Sequence, residues 1–152
     1  MKKYLLLSVK QQYTEQILQG RKTIELRKSK PSVSSGDVII IYCTSPVKAI
    51  VGTATIEDVI THTPSEMWEL HSQKLGITKR AFFEYYENSD KAIGIVMSHV
   101  ATLPEQIQLS SIKQRIPTFS PPQTYRYFMK FVPAVKFKGF TLEPFRDGVL
   151  AR

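Results

Sequence analysis

The seven residues after Gly20 hold three cations, a hydroxyl and a carboxylate: Arg21, Lys22, Thr23, Glu25 and Arg27, with Ile24 and Leu26 interleaved. Lysine and arginine neutralise phosphate oxygens, and a carboxylate accepts a hydrogen bond from an exocyclic amine or a ribose hydroxyl. The same set also has a purely structural use. On an exposed strand a Glu25–Arg27 pair contributes at most ~1 kcal/mol. A buried pair instead acts as a strut between strand and loop, with Lys22 alone left to meet a ligand. Both readings stand at this point.

Other familiar chemistry is missing: the chain has no glycine-rich phosphate loop, no G-x-S-x-G elbow and no H-E-x-x-H. Cys43, the sole cysteine, sits in the apolar run Val38–Cys43 and is expected as buried filler, which excludes an internal disulfide and a multi-cysteine zinc site. His62, His71 and His99 fall in separate segments without ligand spacing. No metal and no cofactor is expected.

The motif must be held by neighbouring elements. Tyr4 to Val9 reads as a strand, and Lys10 to Gln19 as a helix with Tyr13, Ile17 and Leu18 on one face. Gly20 stands where a left-handed residue would end that helix. Thr23 to Arg27 alternates with period two and predicts a half-buried strand with Thr23, Glu25 and Arg27 on its polar side. Ser29 to Gly36 is a loop. Asp37 to Cys43 is a strand buried on both faces, and Val47 to Ile60 a longer one with Gly52 as a bulge or close approach. Thr63-Pro64-Ser65-Glu66 is a capping box with proline at N1, and Thr78 opens a second helix carrying Phe82, Phe83, Tyr85 and Tyr86, read as core. Ala92 to Ala101 returns to strand. Pro104 to Ile116 reads as irregular or partly helical, Pro117 to Tyr127 as a rigid loop, and Lys130 to Phe140 as a final alternation.

Charge is unevenly placed. The net charge is +8, and residues 1–30 and 113–152 each carry eight basic and two acidic side chains, while the middle is net acidic. If the fold brings both ends onto one face, that face is a phosphate-binding footprint. The 152 residues, 42% hydrophobic, exclude disorder and suit one domain. No apolar run approaches the ~20 residues of a membrane span. The short apolar stretch after Met1-Lys2-Lys3 is not a signal peptide, so the chain reads as cytoplasmic.

Gly20-x-Lys22-x-x-Glu25-x-Arg27 resembles the G-x-K-x-x-E-x-R signature of the ASCH domain, a member of the PUA-like β-barrel superfamily. The order of segments is similar too: a lead helix over Tyr13 to Leu18, Ser35-Gly36-Asp37 before the next strand, Tyr42 to Gly52, and a late loop at Pro122 to Tyr127. The resemblance spans roughly residues 4–130, and the tail from about 131 has no counterpart. It implies an α+β fold: a small, mostly antiparallel PUA-like β-barrel with an N-terminal helix and a central helical insertion, residues 1–152 forming a single domain. It also implies a cleft for RNA or a modified nucleotide. Lys22, Glu25 and Arg27 would face that cleft, Ser45 would lie on the adjoining turn, and Tyr125 would come from a closing loop to stack on an unpaired base.

Three activities follow as expectations. The first is a non-catalytic RNA- or nucleotide-binding module. The second is a metal-independent ribonuclease with Glu25 as general base and Lys22 and Arg27 stabilising charge on phosphorus. The third is an acylcytidine amidohydrolase, for which the family uses a lysine, a threonine and a glutamate. Lys22 matches the lysine, but Glu25 stands at the threonine position and Thr23 is two residues away, displaced by ~7 Å.

Overall fold

Tyr4–Val9 forms strand β1, with Leu5, Leu7 and Val9 buried on one face and Leu6 on the other. A strand apolar on both sides belongs inside a sheet, and the computed structural model places it there, beside β3 (Val38–Cys43) in parallel register. This structure describes residues 1–134 and 139–145. Helix α1 (Gln11–Leu18) makes the crossover from β1 and packs Ile17 onto the Leu5–Leu7–Val9 face.

The remaining pairings of the sheet are antiparallel. Its order is β2-β5-β4-β3-β1-β6-β7, with β2 at Ile24–Arg27, β4 at Ala49–His62, β5 at Ala92–Gln108, β6 at Tyr125–Val132 and β7 at Thr141–Pro144. Among the described residues this ladder is open, ending at β2 and β7. The architecture is therefore mixed α+β with a mostly antiparallel seven-stranded sheet, and closure into a barrel is not made by strand hydrogen bonds.

Local signals explain the insertion between β4 and β5. At helix α2 (Pro64–His71) the Thr63 hydroxyl accepts from Glu66 N–H at 3.2 Å and the Glu66 carboxylate accepts from Thr63 N–H at 2.9 Å, a complete capping box. Those bonds hold the Glu66 carboxyl below its ordinary value. Thr78 caps α3 (Lys79–Tyr85) by accepting from Ala81 N–H at 3.2 Å. Met67 of α2, Leu75 between the helices, Phe82 of α3 and Tyr86 at the C-terminal cap of α3 pack against Ile24 and Leu26 of β2. The strand read as half-buried is thus covered on both sides, and Ile24 through Arg27 are all buried.

Two segments differ from the sequence reading. Strand β5 runs on through Pro104 to Gln108, followed by helix α4 (Leu109–Arg115), where irregular chain is expected. Pro104 is tolerated because pairing with β4 breaks register between Ile50 and Gly52, so no ladder bond is asked of its missing N–H. Gly52 lies at that break as expected, and a Cβ there would come within 2.7 Å of the Ala101 carbonyl oxygen. Tyr125 opens β6 rather than lying in a loop. The final predicted alternation falls partly on residues 135–138, outside the described residues; Lys130 to Val132 end β6. No helix among the described residues is long and apolar enough to cross a membrane.

Candidate nucleic-acid cleft

Helix α1 ends in a Schellman turn. Gly20 has φ +80°, its N–H bonds to Ile17 O at 3.0 Å, and Arg21 N–H bonds to Gln16 O at 2.9 Å. The left-handed glycine reverses the chain so that Lys22 turns inward, and Lys22 is only 2% exposed. Gly76 makes room for it. At φ +60° it places a hydrogen where a Cβ would lie 2.8 Å from Lys22 Cβ.

Lys22 forms part of the floor of a cleft of ≈ 540 Å³. One wall is the end of β1 (Ser8, Val9, Lys10) with Tyr13 of α1. The opposite wall is α3, which offers Ala81, Glu84 and Tyr85, while Glu25 and Arg27 of β2 complete the floor and Gln123 reaches in from the loop before β6. Residues 81, 84 and 85 share one helical face, and Phe82 and Tyr86 share the other, which enters the core. The aromatic set read as core therefore splits, with Tyr85 38% exposed at the cleft.

Arg27 spans the gap between β2 and β1, which no ladder joins among the described residues. Its Nη2 donates to Ser8 O at 3.1 Å and to Glu25 Oε2 at 2.5 Å, and its Nη1 donates to Thr124 O at 2.9 Å. Tyr86 OH donates to Arg27 O at 2.9 Å, fixing α3 to the same strand end. Arg27 Nε is buried without a partner among the described residues.

The Lys22 ammonium is served more sparsely. It donates to Leu75 O, lies 3.8 Å from Glu25 Oε1 and 5.3 Å from the Tyr13 ring centroid. Burial pushes its pKa below the usual lysine value, with Glu25 opposing that shift and Arg27 adding to it. Tyr85 is pushed up by burial, so it remains a neutral ring at physiological pH, with Lys28 Nζ 4.6 Å from its centroid.

Of the five sequence-nominated residues, Lys22, Glu25 and Arg27 converge on the cleft. Ser45 lies instead in a neighbouring exposed hollow with Thr44, Pro46, Gln11, Gln12 and Glu15, joined to the cleft through Lys10. Tyr125 stands beside the Arg27 anchor at Thr124, its hydroxyl 3.5 Å from Ser29 Oγ, and is not part of the cleft lining. Thr23 is likewise outside the lining, with its N–H bonded to Lys74 O. The sequence assigns Tyr85 to the core aromatics in preference to a base-stacking platform, and gives Tyr13 and Gln123 no ligand-facing role. The i, i+3, i+4 spacing of Ala81, Glu84 and Tyr85 is the signal that separates Tyr85 from the core aromatics. No group of three or more His, Cys, Asp or Glu side chains fit to hold a metal occurs among the described residues.

Strands from the two basic ends pair, β1 with β6 in antiparallel register from Tyr4 to Leu7, while Arg126 packs on Phe119 and Phe128 and Lys136, Lys138, Arg146 and Arg152 lie outside the described residues. Lys3 lies 5.9 Å from the Tyr127 ring centroid.

A family model described as the ASCH domain matches residues 7–105. Over 130 residues the chain is 26% identical to an ASCH domain-containing ribonuclease of Zymomonas mobilis, covering 85% of this chain and 86% of that one. A 58-residue match at 36% identity, 38% of this chain and 19% of the relative, falls in large ribosomal subunit protein uL22 of Ureaplasma parvum. The crystal structure of ASCH from Zymomonas mobilis superposes with a TM-score of 0.79 at 24% identity, over 84% of this chain and 88% of that one.

Proposed function

The chain belongs to the ASCH domain family, and we propose that it binds RNA, taking one nucleotide unit into the cleft around Lys22. The observation that carries this reading is the under-served Lys22 ammonium: an almost wholly buried cation with three donors and one protein acceptor within hydrogen-bond distance. A buried ammonium is costly unless its donors are met, so the cleft has an energetic demand for a guest oxygen. A phosphate or a nucleobase carbonyl supplies it. Tyr13 and Tyr85 offer ring faces for an unpaired base, and ≈ 540 Å³ lies within the ~300–1,000 Å³ range of small-molecule sites. The names of two relatives, a ribonuclease and a large ribosomal subunit protein, agree with an RNA partner. We further read residues 1–152 as one cytoplasmic domain. Its open ladder is a PUA-like barrel whose remaining gap Arg27 bridges.

Equilibrium binding to single-stranded RNA across a salt series tests this. The expected slope of log K against log salt is ~0.7 per neutralised phosphate, falling with salt. Absence of binding at low salt would sink the proposal.

A second reading, metal-independent RNA cleavage, is favoured by one feature of the floor. Arg27 engages Glu25 Oε2, while Oε1 faces Lys22 at 3.8 Å without a hydrogen bond. In that reading Glu25 takes the proton from a 2′-hydroxyl, and the 2′-oxygen attacks phosphorus as the P–O5′ bond breaks. The 5′-oxygen leaves with that electron pair and takes a proton from water, giving a 2′,3′-cyclic phosphate and a 5′-hydroxyl, after which Glu25 releases its proton to solvent. Lys22 and Arg27 offset the charge that grows on the phosphoryl oxygens. Purified protein in EDTA should then cleave RNA, and Glu25→Gln should abolish cleavage while retaining binding. Cleavage that persists in Glu25→Gln and in Lys22→Met contradicts this assignment.

A further inference from the structure

We propose that a single RNA strand leaves the cleft in one direction, over the loop from Lys28 to Ser32 and onto Tyr125 and Tyr127 of β6. This inference rests on the cleft taking RNA, and it specifies a strand of several nucleotides rather than a lone nucleotide as the ligand.

Two surfaces adjoin the cleft, and their chemistry differs. One passes Lys10 into the hollow beside Ser45, which offers a carboxylate, Glu15, and no aromatic ring. A phosphate entering there gains Lys10 and meets Glu15. The other begins where Lys28 covers Tyr85 at 4.6 Å. It continues past Ser29, whose Oγ is 3.5 Å from Tyr125 OH, to Ser32, whose N–H donates to Tyr127 OH at 2.7 Å. The Tyr125 and Tyr127 rings meet edge to face at 5.8 Å, and both are half-buried, seated on the core but reaching solvent. Lys3 flanks them, with Nζ donating to Ser32 O at 2.9 Å, while Lys28 and Lys30 are exposed.

Cations and rings thus alternate along this side: Tyr85 and Lys28, then Tyr125 and Tyr127, then Lys3. The nearby Asp37 carboxylate is buried and turned towards the backbone N–H groups of Lys3 and Ser34, at 3.0 and 2.9 Å. A basic groove with interleaved aromatic faces suits an unpaired strand, because phosphates follow the cations and each base has a face to stack. A duplex keeps its bases stacked on one another and cannot use the rings.

The test compares uridine monophosphate with a 2′-O-methyl oligouridylate of about eight nucleotides, which lacks the attacking hydroxyl and survives any cleavage. Wild-type protein should bind the oligomer at least about tenfold more tightly than the mononucleotide. Lys3→Ala/Lys30→Ala should weaken oligomer binding about tenfold and flatten its salt slope by ~1.4, two phosphates' worth, with the mononucleotide affinity unchanged. Three results overturn the path while leaving the cleft reading intact: an oligomer bound no more tightly than the mononucleotide, a double variant with wild-type oligomer affinity and slope, or equal losses for both probes. Wild-type protein that binds neither probe overturns the path and the cleft reading together.

Discussion

At one end of β2 the Arg27 guanidinium is tied to three segments of its own protein: the Ser8 carbonyl in β1, the Thr124 carbonyl before β6 and the Glu25 carboxylate. At the other end the Lys22 ammonium, also withdrawn from solvent, has the Leu75 carbonyl as its one hydrogen-bond acceptor, with Glu25 Oε1 at 3.8 Å and the Tyr13 ring at 5.3 Å. Both cations belong to one short motif and border one cleft, yet they answer desolvation differently. Arg27 is held by three protein acceptors through its two Nη atoms, with only Nε lacking a partner among the described residues, and so its charge is largely structural. Lys22 has one hydrogen-bond acceptor and an ion pair 3.8 Å long among the described residues, and burial works against its charged form. The planar fork of arginine suits the first arrangement, and the compact ammonium, whose pKa yields to burial, suits the second. The old choice between strut and ligand site therefore divides within the motif.

The largest effect that would sharpen this contrast is expected at Arg27. Arg27→Ala leaves the buried Glu25 with only Lys22, 3.8 Å away, and unties β2 from β1, and should lower unfolding free energy by about 3–5 kcal/mol. Denaturant titration measures it. A loss below about 1 kcal/mol would break the structural half of the comparison.

Lys22→Met should do the reverse. Replacing a desolvated ammonium with an apolar chain of similar length leaves stability near wild type or above it, whereas RNA affinity falls about tenfold or more, in line with a charge-assisted hydrogen bond of ~1.5–3 kcal/mol. Equal losses in stability and in binding would show that both ends of the strand are struts.

A smaller effect is expected from behind Lys22. Gly76→Ala forces a Cβ against Lys22 at φ +60°, so a destabilisation of about 1–2 kcal/mol should accompany weaker RNA binding. Weaker binding in a variant that unfolds like wild type would attribute the effect to Lys22's position alone.

The smallest concerns a pair far from this contrast in sequence. His62 and His71 rings lie 5.6 Å apart, His71 Nδ1 is buried without a partner among the described residues, and burial holds His71 below its ordinary value of 6.5, with His62 and Lys74 adding to the shift. The unfolded chain takes up the proton first, so His71 favours the fold above about pH 6.5 and that contribution is lost as pH falls through its lower folded value. His71→Gln should flatten the decline in the urea midpoint between about pH 7 and 5, with RNA affinity at neutral pH unaltered.

What the sequence made legible was local. The Schellman turn at Gly20, the capping box at Thr63 and Glu66, and the cap at Thr78 each depend on residues within a few positions, and each forms as read. Lys22, Glu25 and Arg27 are legible as a set because they are close in sequence. Their different fates are not, because Leu75, Ser8 and Thr124 arrive from distant parts of the chain. The same limit explains Tyr125, which is drawn into β6 by pairing with Leu7, and Ser45, which turns away beyond Lys10. It also explains the His62–His71 meeting, which needs the end of β4 folded against the end of α2. Four nearby aromatics, three on α3 and Tyr86 at its C-terminal cap, do not reveal which ring faces solvent until β2 takes Phe82 and Tyr86 as its cover.

The most direct test is a crystal structure of the protein with a bound nucleotide. A phosphate or base oxygen should lie within about 3.2 Å of Lys22 Nζ, with the Arg27 contacts to Ser8, Thr124 and Glu25 unchanged. A nucleotide seated elsewhere, with Lys22 still bonded to Leu75 alone and the cleft empty of ligand, would contradict it.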